Sequence, residues 1–511
     1  MAQDRASLSE DERAAIAQET IALKTWQQTP DTEEALNSIP VLSRKDLGKK
    51  ALLPRNVICT VDGSTCKKLP EQGPFVIGHP VFTSGIDYVN FQFDFTKIPA
   101  RLFPYIPILR TVLGALDTEH YSYAALDQEV TIRTGGIYPN TTLVANAHRD
   151  DTYKLLFEVT MKVLDRHLPE GTDLVLEILQ HTKYDDLSRI IEVLEEEVSE
   201  MKASLADSGH VTAACRARSQ CDVTAKVQDA LSGIDAYRGM SKILQDLKDG
   251  KDTEDFRRNL EETAAYLFRR ENLSIDVTAD AETIGKSLHL FHLFTEKIPE
   301  GSASWSEEEN GIPYRPALTE GTEGFVTAGQ VQYVALAGNF KKQGYAYTGA
   351  MDVLRVIMGY DFLWQRIRVL GGAYGCMSSF GRTGGAFFVT YRDPHLIDSL
   401  YVFAQAADYL AHYDCDERAM TKSVIGAVSS LDRPVSPRQF GRYSLQALLS
   451  GVTDEEIQRE RDEVLSCTKE DIRKLADPVR AFADESCICV IGSKERIEEN
   501  SYIFDRIEQL I

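Results

Sequence analysis

Along the chain, Val89, Phe91, Phe93 and Phe95 alternate with Tyr88, Asn90, Gln92 and Asp94, a period of two that predicts a β-strand from Asp87 to Phe95 with one buried face. Between Asp185 and Leu205 the period lengthens to that of a helix. Leu187, Ile190, Ile191, Leu194, Val198, Met201 and Leu205 share one side, and Glu192, Glu195, Glu196, Glu197 and Glu200 form a solvated one. Ser9-Glu10-Asp11-Glu12 is a capping-box pattern and predicts a first helix that stops at Pro30. Pro99 to Leu116 reads as a helix, and Val130 to Ala147 as two strands joined around Gly135-Gly136 and Pro139-Asn140. Farther on, strands are predicted from Val331 to Ala337, Gly385 to Tyr391 and Cys487 to Gly492, with helical turns from Gly349 to Leu370 that end in glycines. The stretch from Pro299 to Glu323 is aperiodic and rich in Gly, Pro, Ser and Glu, and is expected to be an exposed interdomain linker.

The two sides of that linker repeat one another. Asp87-Tyr88-Val89 matches Gln332-Tyr333-Val334, and each is followed by a helix, a double glycine and a strand. The glycine words are Ile132-Arg133-Thr134-Gly135-Gly136-Ile137 and Ile367-Arg368-Val369-Leu370-Gly371-Gly372-Ala373-Tyr374. An ordered series of this kind predicts duplication of one α+β domain, each copy a mostly antiparallel sheet packed with helices and the pair preceded by a helical arm.

Composition narrows the function. The chain has 511 residues, 43% hydrophobic and 26% charged, which suits two large globular domains. A net charge of -22 repels phosphate backbones, so nucleic acid is not an expected partner. No apolar run reaches the length of a membrane span, and nothing marks secretion. Nine cysteines without a CxxC pair read as reduced thiols, and the expected compartment is the cytoplasm, with the mitochondrial matrix as the alternative.

Zinc hydrolysis needs two imidazoles one helical turn apart with a carboxylate base, and neither HxxEH nor HExxH occurs. His289 and His292 have such a spacing but enclose only Leu290-Phe291, so no metal site is expected. No Gly-x-Ser-x-Gly elbow marks a nucleophile, and the glycine-rich words match neither phosphate-binding pattern. Cys376 reads as a small packed residue, an enzyme built on it being a remote third reading. Arg368 and Tyr374, by contrast, flank a helix end and the Gly371-Gly372 turn. Glycines let a backbone approach a bound peptide, and Arg and Tyr supply donors to a carbonyl or developing oxyanion. The same residues also fit a structural ion pair and a packed ring.

Several words resemble the presequence-protease branch of the pitrilysin and insulin-degrading-enzyme superfamily. They are Gly344-Tyr345 with Thr348-Gly349, Tyr360-Asp361-Phe362-Leu363-Trp364 leading to Arg368 and Gly371-Gly372-Ala373-Tyr374-Gly375, and Tyr391-Arg392-Asp393-Pro394. Thr83-Ser84-Gly85-Ile86, Tyr121-Ser122-Tyr123 and Thr134-Gly135-Gly136-Ile137 extend the resemblance into the first half. It implies four homologous pitrilysin-type domains around a peptide-degrading chamber, of which this chain resembles the third (47–298) and fourth (324–511), with a linker arm at 1–46 and an interdomain linker at 299–323. It further implies that zinc and its base lie in an N-terminal half, the expected partner, so that this chain alone has no catalytic residue and hydrolyses nothing. Arg368 and Tyr374, with Gly371 and Gly372, then fall where the family contacts unfolded peptide substrate; Arg366 lacks the family spacing to the tyrosine. An inactive peptide-binding or scaffold subunit is the alternative.

Overall fold

The computed structural model describes residues 9–39, 42–149, 151–301 and 313–510. They fall into two compact units divided after Gly48. In the first, helix α1 (Glu10–Gln28) opens with the expected capping box: Ser9 Oγ accepts from Glu12 N at 3.3 Å, and Glu12 Oε2 accepts from Ser9 N at 2.8 Å. It stops at Thr29, which the following proline keeps extended.

The second unit holds two six-stranded sheets. Strands β1 (Val57–Thr60), β2 (Phe75–Pro80), β3 (Ile86–Asp94), β4 (Ile137–Ala145), β5 (Tyr153–Leu164) and β6 (Leu273–Ala279) lie in the order β1-β2-β6-β3-β5-β4. Strands β7 (Glu323–Thr327), β8 (Tyr333–Asn339), β9 (Gly375–Phe380), β10 (Gly385–Tyr391), β11 (Cys487–Ser493) and β12 (Arg506–Gln509) lie in the order β12-β7-β11-β8-β10-β9. From the second position on, the two orders correspond strand for strand in chain sequence. Both have a parallel pair in the same place, β2 with β6 and β7 with β11, followed by antiparallel pairs. Only the outer strand differs, β1 running antiparallel to β2 and β12 parallel to β7. The α+β class and the repeat are therefore both present. The double glycines precede β4 and β9, with the second glycine in the left-handed region both times, φ +114° at Gly136 and +78° at Gly372.

The helices that matter here are α2 (Tyr123–Arg133), α3 (Leu168–His181), α4 (Leu187–Asp207), α5 (Gly209–Arg218), α6 (Ala281–Lys297), α7 (Ala350–Ile357), α8 (Pro437–Ser450) and α9 (Ala476–Asp484). Each sheet buries one face under helices of its own half. Phe91 meets Phe291 and Phe294 of α6, and Phe388 meets Phe403 and Phe482, the latter on α9. The opposite faces are covered by exchange. From the first half, α5 places Ala213, Ala214 and Ala217 against Tyr333, Ala335, Ala337 and Val389 of the second sheet. From the second half, α8 places Leu445 on Ile58, Phe75 and Ile77 of the first. Close approach demands glycine at both contacts, because a Cβ on Gly209 would lie 2.3 Å from the Tyr333 ring and one on Gly441 1.8 Å from Thr278 Oγ1.

Several expectations change. The polar side of β3 is not in solvent: Gln92 is buried and donates to Glu158 at 2.7 Å, in a face that α8 covers. Val130–Arg133 belongs to α2 rather than to a strand, because Ser122 caps a helix there and Ile132 points to solvent, so the local apolar alternation does not decide. Pro139 lies inside β4, which is an edge strand where a missing N–H is tolerated. The helix expected from Pro99 to Leu116 covers only Tyr105–Val112. In the linker, residues 302–312 lie outside the described residues, and the remainder is not simply exposed. Tyr314 stacks on Phe103 at 3.6 Å, and buried Thr319 bonds to Ser219 through its N–H at 3.0 Å and its hydroxyl at 2.9 Å. On α4, Glu192, Glu195, Glu196 and Glu200 are exposed as expected, while Glu197 pairs with Arg110 at 2.6 Å. Among the described residues, no helix is long and apolar enough to cross a membrane.

Candidate functional site

After α7 the helix widens to π-type turns over Met358–Phe362 and Trp364–Leu370. A π turn holds more than four residues, so side chains four apart stack, and such turns recur at functional sites. Trp364 and Arg368 form one of these pairs, the guanidinium lying 4.3 Å from the indole centre. The helix then closes on Gly371 and Gly372. Gly371 N donates to Arg366 O at 3.1 Å and Gly372 N to Arg368 O at 3.0 Å. A Cβ on Gly371 would sit 2.6 Å from Ile367 O, and Gly372 needs its positive φ.

This turn delivers Tyr374 to the start of β9, with its ring 63% exposed. Arg368 lies 5.3 Å from that ring and donates from Nη1 to the Tyr374 carbonyl. Arg366 is exposed and joins this arrangement only through its carbonyl, which accepts from Gly371 N. Structure thus brings Arg368, Gly371, Gly372 and Tyr374 into one surface element. The Tyr374 ring meets Tyr391 edge to face at 5.7 Å, and Tyr391 in turn meets His210 of α5 at 4.7 Å. Burial pushes the His210 imidazole below its ordinary value. A cleft of about 550 Å³ opens here between α5 and the strands, lined by His210, Val211, Met377, Phe387 and Val389 among others.

Asp393 shows why the Tyr391–Pro394 word is needed. Its backbone exchanges bonds with Gln332 at 2.7 and 2.9 Å, and its carboxylate accepts from Ser399 Oγ at 2.6 Å, which anchors the segment against which Tyr374 turns. Trp364 and Tyr391 belong to the words that carry the resemblance but have no site role in the sequence reading, and His210 does not figure in it at all. Trp364 could have been given one, from its spacing to Arg368; His210 could not, because only the exchange of α5 brings it close.

At Cys376 burial, with help from Asp393, pushes the thiol up to about 12 despite Arg368 nearby, which disfavours the thiolate that a nucleophile needs. His289 and His292 gather no third ligand among the described residues, and His292 instead lies 3.5 Å from Glu296. They do not suit a catalytic zinc.

Residues 1–243 match the family model for the associated domain of peptidase family M16, subfamily C, and residues 322–494 match the PreP C-terminal domain. Protein HypA of Clostridium perfringens is 34% identical over 96% of this chain and 48% of its own length. Presequence protease 1, chloroplastic/mitochondrial, of Arabidopsis thaliana is 28% identical over 97% of this chain and 44% of its own. The chain thus spans about half the length of the curated relatives it matches. In fold it is similar to the peptidase M16 inactive domain from Pseudomonas fluorescens, with a TM-score of 0.54 at 11% identity over 83% of this chain and 96% of that one. The periplasmic protease PqqL from Escherichia coli also has a TM-score of 0.54, at 13% identity over 96% of this chain and 51% of that one. With its duplicated α+β sheets and both family models matched in order along it, the chain belongs to the presequence-protease-like M16 peptidases and corresponds to their C-terminal half.

Proposed function

We propose that this chain is the non-catalytic, substrate-binding half of a zinc metalloendopeptidase that degrades unstructured peptides, and that proteolysis requires a partner half bearing HxxEH. The zinc and its base belong to that partner. Segments 47–298 and 324–511 act as its two homologous domains, 1–46 as the connecting arm, and the compartment is the cytoplasm.

The observation that carries this reading is a contrast between the two copies of the repeat. Arg133, beside the first double glycine, donates to Glu129 at 2.7 Å. Arg368, beside the second, has no carboxylate within ion-pair distance among the described residues and is braced by aromatic rings instead. A guanidinium held in place yet not neutralised, with an exposed phenol next to it, suits a peptide carbonyl or the oxyanion that forms from it. Strand β9, an edge with neither proline nor charge, lies directly after Tyr374 and offers backbone groups to an extended chain.

Assembly of the chain with an HxxEH-bearing half is expected to restore zinc-dependent cleavage of an unstructured peptide, and Arg368→Ala to lower kcat/KM by about 10²-fold. An inactive assembled pair, or an unchanged kcat/KM in the Arg368→Ala pair, overturns the role. Peptide binding that is insensitive to Arg368→Ala and Tyr374→Phe, with no cleavage, favours a scaffold.

A further inference from the structure

Residues 117–121 are clasped to the end of α3 by backbone bonds. Thr118 and Thr182 form an antiparallel bridge, Glu119 N donates to His181 O at 2.9 Å, and Lys183 N donates to Asp117 O at 2.9 Å. The clasp sets His120 and His181 edge to face with ring centres 5.3 Å apart. One donor atom from each of Glu119, His120 and His181 then lies within 4.8 Å of the other two.

A fourth side chain orients this group. Glu177 of α3 is buried and accepts from His120 Nδ1 at 2.9 Å and from the His120 backbone N–H at 3.1 Å. A carboxylate only accepts, so Nδ1 carries the proton and Nε2 of His120 keeps its lone pair for a ligand. This carboxylate–histidine arrangement is the one that supports metal-bound imidazoles. His181 Nδ1 lies 2.9 Å from Glu119 Oε2, so those two groups already share a direction.

We propose that Glu119, His120 and His181 form a binding site for a divalent cation of the zinc class, with Glu177 as the positioning residue. Two imidazoles and one carboxylate are borderline donors. Calcium and magnesium select all-oxygen sets and copper(I) selects sulfur, so zinc fits the set best. The His120 side chain is 60% exposed and that of Glu119 63%, which gives the ion an entry path and leaves water to complete the coordination. The ion would join the 117–121 connector to α3 by side chains as well as backbone.

The chain has no HxxEH word, so zinc bound by it does not report a catalytic site. The competing cluster is Cys221, Glu485 and Cys487, whose donor atoms also lie within 4.8 Å of one another. The test is zinc titration of the full, reduced chain against a chromophoric chelator, with His120→Ala, His181→Ala, Glu177→Gln and Cys221→Ser. One equivalent is expected to bind to the parent chain and to Cys221→Ser. It is expected to be lost in either histidine variant and weakened about 10- to 100-fold in Glu177→Gln. Zinc is also expected to raise the melting temperature of the parent and not of His120→Ala; exposure of His120 makes misfolding of that variant a small risk, checked by its melting without metal. No binding to the parent, binding unchanged in both histidine variants, or binding lost in Cys221→Ser overturns the proposal.

Discussion

At the scale of single residues, Asp87 is a strongly displaced carboxyl. It is buried at the start of β3, and burial together with the neighbouring carboxylates of Asp165 and Asp280 pushes it up to about 7. The folded chain therefore holds a proton that the unfolded chain releases near 3.8, so this group's contribution to stability falls as pH rises from about 4 to 7. Lys286, on the face of α6 toward Asp165, is paired with Glu282 at 2.6 Å and so offsets little of this charge. Urea unfolding should show Asp87→Asn gaining stability relative to the parent as pH rises through that window; a difference independent of pH would contradict it. Gly372 is a second such position. With φ at +78°, Gly372→Ala is expected to cost on the order of 1–2 kcal/mol and, under the proposed function, to lower peptide cleavage by displacing Tyr374, whereas normal stability in that variant would show that the turn can change shape.

At the scale of elements, α5 is held on the second sheet by charge as well as by alanines. Arg216 donates to Glu323 of β7 at 2.6 and 2.9 Å and to Asp229 and Asp235 at 2.5 and 2.9 Å, with Arg216, Asp229 and Glu323 all buried. Arg216→Ala takes the ion-pair partner from buried Asp229 and leaves buried Glu323 only Arg506, at 3.1 Å, and a loss on the order of 3–5 kcal/mol is expected in chemical denaturation. A change below about 1 kcal/mol would mean that the helix is held by its apolar contacts alone. This is also the scale at which sequence and structure can be compared. Strands β3, β8, β10 and β11 were legible because alternation or a short apolar run is a local signal. The helix α2 was not, since Val130 and Ile132 imitate a strand and the deciding cap at Ser122 lies outside the pattern. Nor was the covered polar face of β3: Gln92 looks like a surface residue until α8, more than 300 residues later, supplies its cover. For the site, Arg368, the glycines and Tyr374 form one contiguous word, whereas Glu119, His120, His181 and Glu177 meet only through the backbone clasp.

At the scale of the whole second unit, the exchange of α5 and α8 makes each sheet depend on the other half. Residues 49–298 and 324–511 produced separately are expected to lack cooperative melting and to regain it on mixing; hydrogen-exchange protection of β6 in the isolated first piece would refute this. The same exchange has a consequence on the ribosome. Strand β6 reaches the centre of the first sheet only when Ala279 has been made, and the helix that covers its polar face ends at Ser450. At roughly 5–20 residues per second, that face stays open for about 10–30 s of every synthesis. The nascent chain thus has to keep Gln92, Glu158 and Asp276 wet while the strands beneath them are already paired. Polar residues there serve the newborn chain as a non-sticky surface before they serve the finished one as an interface.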